Sequence, residues 1–149
     1  MSAEGTVVPV VRVEVRSKVP GAAGDGLPAV LVELVSERTT VAELIRRTVE
    51  EQIRLLAWDR ARCRAALDRQ YLSPDDIRAQ AGTGVVRMPA PRRDALDPAE
   101  EVARACRAFE GKAFAVFLGG RQAERLEEEV VVRLGEPVVF LRLVPLVGG

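Results

Sequence analysis

The hydrophobic period of this chain is two at both ends and close to 3.6 between them. That contrast restricts the fold more than any other feature of the sequence. Over residues 7 to 19 apolar and polar side chains alternate: Val11, Val13 and Val15 share one face, and Arg12, Glu14 and Arg16 share the other. Successive side chains of an extended backbone point to opposite sides, so this pattern predicts a strand with one face in a core and one in solvent. Residues 29 to 35 are rich in β-branched side chains and predict a second strand. Residues 20 to 28 hold Gly21, Gly24, Gly26 and two prolines, the composition of a loop closing a hairpin.

At the far end, residues 113 to 118, 122 to 126 and 138 to 144 carry strand patterns, the last of them the strongest in the chain. Gly119-Gly120 is a turn, and residues 130 to 134 fit either a strand or an irregular connection. Pro145 ends the final strand, because proline cannot donate to a ladder.

The middle reads as helix. Thr40 and Glu43 have the spacing of a capping box, in which two side chains satisfy orphan backbone donors at a helix start. Val41, Leu44, Ile45, Val49, Ile53 and Leu56 then recur at helical spacing, with Arg46, Arg47 and Glu50 off the stripe. The pattern can run on through Trp58, Cys63 and Leu67 to about Tyr71. Ser73-Pro74-Asp75-Asp76 resembles the cap of a short helix, and residues 82 to 93, with two glycines and two prolines, predict a loop. Asp97-Pro98 places an N-cap and a first-turn proline before Glu100 and Glu101, whose charges suit the positive end of a helix. That helix is expected to reach Phe109 and stop at Gly111. The apolar content of residues 58 to 110 is unlike disordered composition. It predicts helices packing through Trp58, Leu67, Tyr71 and Phe109.

Composition excludes several function classes. A chain of 149 residues, 48% apolar, is long enough for one domain with a sizeable core. Net charge is zero, without the basic footprint of a nucleic-acid binder. No apolar run approaches the ~18 residues of a membrane span, and residues 1 to 5 lack the layout of a secretory signal. Cys63 and Cys106 make no disulfide framework. A cytoplasmic protein is expected. Histidine is absent, which removes the commonest general base. Two isolated cysteines cannot build a structural zinc site, and neither common glycine-rich phosphate loop occurs. The chain reads as something acted upon, not as an enzyme, with no metal and no cofactor of its own.

The element order, a hairpin, a helix, and strands with the last leading to Gly148-Gly149, resembles the ubiquitin-like β-grasp family, which includes bacterial ubiquitin-like modifiers and the sulfur carriers of molybdopterin and thiamine synthesis. Three segments carry the resemblance: Thr39-Thr40-Val41-Ala42-Glu43-Leu44 at the helix start, Phe117-Leu118-Gly119-Gly120-Arg121-Gln122 at a strand turn, and Val138-Val139-Phe140-Leu141-Arg142-Leu143 followed by Val144-Pro145-Leu146-Val147-Gly148-Gly149. It implies an α+β fold in which a mixed β-grasp sheet wraps a central helix. Residues 7 to 57 and 112 to 144 would form the core, 58 to 111 a helical insertion before the third strand, and 145 to 149 a flexible tail of one domain spanning 1 to 149.

The resemblance also implies a function. Gly149 would be activated by an E1-like adenylating enzyme that consumes ATP, then conjugated to a target protein with the help of an E2-like enzyme. The inserted residues depart from the shorter sulfur carriers and favour a modifier. The Pro-Leu-Val-Gly-Gly ending is closer to those carriers, whose terminal glycine bears a thiocarboxylate. A non-covalent interaction domain is the third reading. The tail chemistry has its own logic: glycines at 148 and 149 permit close approach of the backbone in a narrow site. Leu146 and Val147 offer apolar anchors, and Pro145 keeps the tail out of the sheet. No partner is expected among nucleic acids or membranes.

The remaining features have plainer readings. Cys63 and Cys106 lie among alanines and are expected to pack as small hydrophobes. Arginine outnumbers lysine twenty to two, leaving Lys18, Lys112 and the N-terminus as the only amine acceptors on the chain. Glu127-Glu128-Glu129 is expected to be a solvated turn. On the last strand, an arginine is rarely buried. The alternation therefore predicts that Val139, Leu141 and Leu143 face the central helix, with Phe140 and Arg142 on the outer face as a partner surface. The competing reading is that the inserted helices cover Phe140 and make it core.

Overall fold

The computed structural model of the protein describes residues 10–20, 27–72 and 96–143. The expected helix start at Ser73, the loop at 82 to 93, most of the loop at 20 to 28, the first residues of the first strand and the tail at 145 to 149 lie outside the described residues.

The architecture is α+β: a mixed five-stranded sheet and, among the described residues, three helices. Strand β1 (Val11–Lys18) pairs antiparallel with β2 (Val30–Leu34), Val13 opposite Val32. After β3 (Arg38–Thr40) come three helices, α1 (Val41–Leu55), α2 (Arg60–Tyr71) and α3 (Pro98–Glu110). The chain then returns as β4 (Phe114–Leu118), β5 (Arg121–Ala123), β6 (Glu129–Val131) and β7 (Val138–Arg142). The sheet order is β2-β1-β7-β4-β5, with β1 and β7 parallel at its centre and the other pairs antiparallel. A separate two-stranded ladder joins β3 to β6, so the ambiguous stretch near residue 130 is a strand. Gly119 and Gly120 have φ of 58° and 88°, the double positive φ of a tight hairpin turn between β4 and β5.

The core is what the two periods dictate. Val13, Val15, Val30, Val32 and Leu34 are buried on one sheet face against Val41, Leu44, Ile45 and Val49 of α1. Each such side chain contributes about 1.5–3 kcal/mol on burial. The start of α1 is capped as the spacing predicts, but only by half of the expected box: Thr40 Oγ1 accepts from the Glu43 amide at 3.1 Å. The Glu43 carboxylate instead accepts from Arg46 and Arg47, which hold it below the usual carboxylate range. The Val41 and Ala42 amides donate to the carbonyls of Glu128 and Leu126 in the β5–β6 loop. Glu128 itself accepts from the Glu124 and Arg125 amides. Glu128 thus braces its own turn while its backbone caps a helix.

Two expectations about the middle of the chain need correction. The helical stripe does not run unbroken to Tyr71. It stops after Leu55, and Asp59 starts a new helix by accepting from the Arg62 amide at 3.0 Å. Nor does Trp58 help to pack the helices: it is 72% exposed in the corner between α1 and α2. Leu67, Tyr71 and Phe109 are buried as expected. Helices α2 and α3 are tied by a closed ring of ions. Arg64 donates to both Glu101 oxygens at 3.1 and 2.6 Å, Arg104 to Glu101 at 3.0 Å and to Asp68 at 2.8 Å, and Arg64 to Asp68 at 3.3 Å. Glu101 is buried, and every partner it takes is a cation, so its desolvation is offset by two-sided pairing.

Helix α3 does stop at Gly111, but the left-handed residue is the next one. Lys112 has φ of 64°, while Gly111 has φ of −84°. The Lys112 amide donates to the Phe109 carbonyl and the Ala113 amide to the Ala108 carbonyl at 2.8 Å, a Schellman ending with lysine at the position that favours glycine. The left-handed conformation costs a residue with a Cβ about 1 kcal/mol. Lys112→Gly is therefore expected to raise stability by about 1 kcal/mol, read as a higher urea midpoint at unchanged slope.

Candidate functional site

The candidate site is the end of β7 and the tail that follows it. Pro145, Leu146, Val147, Gly148 and Gly149 lie outside the described residues, so the geometry concerns the platform from which they depart. Strand β7 is hydrogen-bonded on both sides, parallel to β1 from Val138 to Leu141 and antiparallel to β4 from Val138 to Arg142. The Leu143 amide adds one more bond, to the Ala113 carbonyl at 2.8 Å. Leu143 is 45% exposed. Beside it a shallow groove of about 210 Å³ is lined by Phe109, Lys112, Gln122, Glu124 and Leu143 among others. Six residues follow Leu143 and span at most about 20 Å when extended.

The orientation of β7 is the reverse of the one its charge pattern predicts. Val138, Phe140 and Arg142 are buried on the helix side, at 1%, 0% and 1% exposure, while Val139 and Leu141 are half-buried on the other face and Leu143 is exposed. Phe140 and Arg142 are therefore not a partner surface. Phe140 packs against Phe114 with ring centroids 5.3 Å apart, and Phe114 in turn meets Tyr71 at 5.2 Å and Phe109 at 5.8 Å edge-on. Arg142 is accommodated because α2 ends beside it: its Nη1 donates to the Gln70 carbonyl at 3.3 Å. The C-terminal turn of a helix offers unpaired carbonyls and a partial negative charge, a suitable receptor for a guanidinium. Burial pulls the Arg142 guanidinium below its ordinary pKa.

A buried polar chain extends this contact. The Gln70 amide donates to the Phe140 carbonyl at 3.1 Å, Tyr71 donates its hydroxyl proton to Gln52 Oε1 at 2.8 Å, and Gln52 Nε2 donates to Ser17 Oγ at 2.9 Å. Burial pushes the Tyr71 hydroxyl pKa upward, so it remains a proton donor. The same bonds orient α1. Arg47 reaches the Glu33 carbonyl, opposite Arg12 near the start of β1, and Gln52 reaches Ser17 near its end. Helix α1 therefore advances in the direction of β1, and the α1–α2 corner lies at the pole where β1 and β7 end.

The exposed face of the sheet carries a strip the sequence reading placed inside. Val139 and Leu141 stand opposite Phe117 and Ala115 of β4, with Arg16 and Lys18 of β1 on the other flank. The signal that could have found it is the strict alternation of β7, read with Phe140 inward. Both lysines, Lys18 and Lys112, are exposed. Cys63 is buried and Cys106 half-buried, and burial raises both thiol pKa values, which suits packing and opposes a reactive thiolate. Among the described residues no group of three or more Cys, Asp or Glu could hold a metal ion, and no helix is long and apolar enough to cross a membrane.

No protein-family model, no curated protein and no solved structure matches this chain.

The burial of Phe140 sets an expected outcome. Phe140→Ala should destabilise the protein by about 3–5 kcal/mol, as truncating a core aromatic does. Leu143→Ala, on the exposed end of the strip, should shift stability by under about 0.5 kcal/mol. Urea unfolding of the two variants beside the parent checks both.

Proposed function

We propose that this chain is a ubiquitin-like modifier of β-grasp architecture, activated at the carboxylate of Gly149 and joined to a target protein. One observation carries the reading: the strand that leads into Leu146-Val147-Gly148-Gly149 is the central strand of the sheet, parallel to β1. A hairpin, a helix on one face, and a final strand inserted between the first strand and β4 support the β-grasp reading. In this reading α2 and α3 are an insertion that covers one end of the sheet.

Activation follows from carboxylate chemistry. A carboxylate is a poor electrophile. An oxygen of the Gly149 carboxylate attacks the α-phosphorus of ATP on an E1-like partner, pyrophosphate leaves, and an acyl-adenylate forms. An amine of the target then attacks the carbonyl carbon and AMP leaves, or a thiol of an E2-like enzyme first displaces AMP to form a thioester and itself leaves when the amine attacks. Either way an amide bond remains. Glycines at 148 and 149 allow the backbone to thread a narrow site, and Leu146 and Val147 provide apolar grip. The outer-face strip of half-buried Val139 and Leu141 and exposed Leu143, which precedes the tail in sequence, is the surface such a partner would cover.

The Pro145-Leu146-Val147-Gly148-Gly149 ending favours a second reading, a sulfur carrier in which sulfur replaces one oxygen of the Gly149 carboxylate. Intact mass of the protein purified from its native host separates the two. Covalent adducts stable to reducing agent and ending at Gly149 are expected for the modifier. A mass gain of one oxygen-to-sulfur exchange marks the carrier instead, and an unmodified chain in every condition refutes both. Removing Gly148 and Gly149 should abolish adduct formation and leave the melting temperature unchanged.

A further inference from the structure

We propose that the corner between α1 and α2, built on Trp58, Arg60 and Arg62, docks a partner protein segment that presents carboxylates beside an apolar side chain. The inference goes beyond the reading of the tail and does not depend on the fate of Gly149.

Trp58 is the only tryptophan of the chain and is 72% exposed. A residue this large is among the most buried on average, so its exposure is the anomaly. The corner itself is well anchored. Leu56 and Cys63 on either side are buried, and the Leu56 and Asp59 amides donate to the Gln52 and Leu56 carbonyls at 3.2 and 3.0 Å. Leu55 adds apolar area at 43% exposure, and Ala57, Ala61 and Ala65 are exposed and small, so among the described residues little rises beside the indole.

Charge names the partner. The Arg62 guanidinium carbon sits 5.8 Å from the centre of the Trp58 ring, a cation–π arrangement. The acids nearest in sequence bond elsewhere. Asp59 caps α2, Glu51 is held by Arg54 at 2.6 Å, and Asp68 is held by Arg64 and Arg104. Among the described residues Arg60 and Arg62 form no ion pair. The corner therefore offers an apolar plate and two arginines outside any ion pair among the described residues, one of them already stacked in place. A carboxylate can take the planar fork of Arg62 through two parallel hydrogen bonds. Because the indole holds the guanidinium, less side-chain freedom is lost on binding. Tryptophan and arginine are also the residue types that most often dominate interface energies.

Single-stranded nucleic acid also stacks on aromatic side chains, but it needs a basic track along its backbone. This chain has zero net charge, and the corner offers two arginines instead of a basic track, so a short protein segment that brings one or two carboxylates fits better.

Trp58 makes the test direct, since its emission reports on this corner alone. The full chain is used to select from a display library of random short peptides, and selected peptides are titrated while the emission is followed. The free chain should emit as a water-exposed indole. Selected peptides should be enriched in Asp and Glu next to Leu, Ile or Phe, should shift the emission to the blue, and should bind more weakly as salt rises. Arg62→Glu and Trp58→Ala should each weaken binding roughly tenfold or more; Arg60→Glu should weaken it less. Circular dichroism should show all three variants folded, their side chains being exposed. Failure to select any peptide, selection without an excess of carboxylates, or equal binding by Arg62→Glu overturns the proposal. So does a blue-shifted indole in the free chain, which would mean that its own residues cover the corner. Tight binding of oligothymidylate that is lost in Arg62→Glu would assign the corner to nucleic acid and overturn it equally.

Discussion

The contact between the last turn of α2 and β7 is the constraint on which the rest of this structure leans. Gln70 grips the strand twice, donating its amide to the Phe140 carbonyl and lending its own carbonyl to Arg142. Phe140 then has to lie inward, where Phe114 links it to Tyr71 and Phe109. One polar clasp and one aromatic cluster thus fix together the strand that leads to the tail, the helix that follows the corner, and the start of β4. Removing a single partner leaves either a buried guanidinium or a buried carbonyl with less to bond, which costs more than the hydrogen bond itself contributes.

That clasp also explains where the sequence was a good guide and where it was not. Strands β1 and β2 and helix α1 are legible because each is half-buried by neighbours close in sequence, so burial writes a clean period into Val11–Val15 and Val41–Val49. The Thr40 and Asp97 caps are legible because capping is local: donor and acceptor lie two or three residues apart. The face of β7 was misread because its cue is not local. An arginine in a strand argues for solvent unless an acceptor waits inside, and Gln70 lies seventy-two residues from Arg142. The break between α1 and α2 was hidden for a related reason. No glycine or proline marks it, and only the Asp59 cap records it.

The candidate site was legible in one respect only. The tail residues can be picked out by eye, but the surface beside them followed from the orientation of β7 and turned over with it. The strip that faces solvent is Val139, Leu141 and Leu143, and the residues assigned to a partner are core. Trp58 moved the other way, from expected packing to exposure. Both reversals share a cause. Large or charged side chains were sorted by their own preference, whereas in the fold they are sorted by what α2 supplies: an acceptor for Arg142 and, among the described residues, little cover for Trp58.

The position of β7 carries the argument one step further. A chain end attached to an edge strand can peel away by breaking one ladder. Here five register positions bind β7 to β4 and four bind it to β1, and Leu143 adds a bond to Ala113 beyond them. The side chains below the strand are locked as well, by Phe114, Gln70 and the end of α2. A pull on β7 at Leu143 would therefore load ladders on both of its sides at once. Under the proposed modifier reading, a partner pulling beyond Leu143 would have to break both ladders together before it disturbed the core. That firm hold on β7 follows from placing the last described strand in the middle of the sheet and burying its one arginine against a helix end.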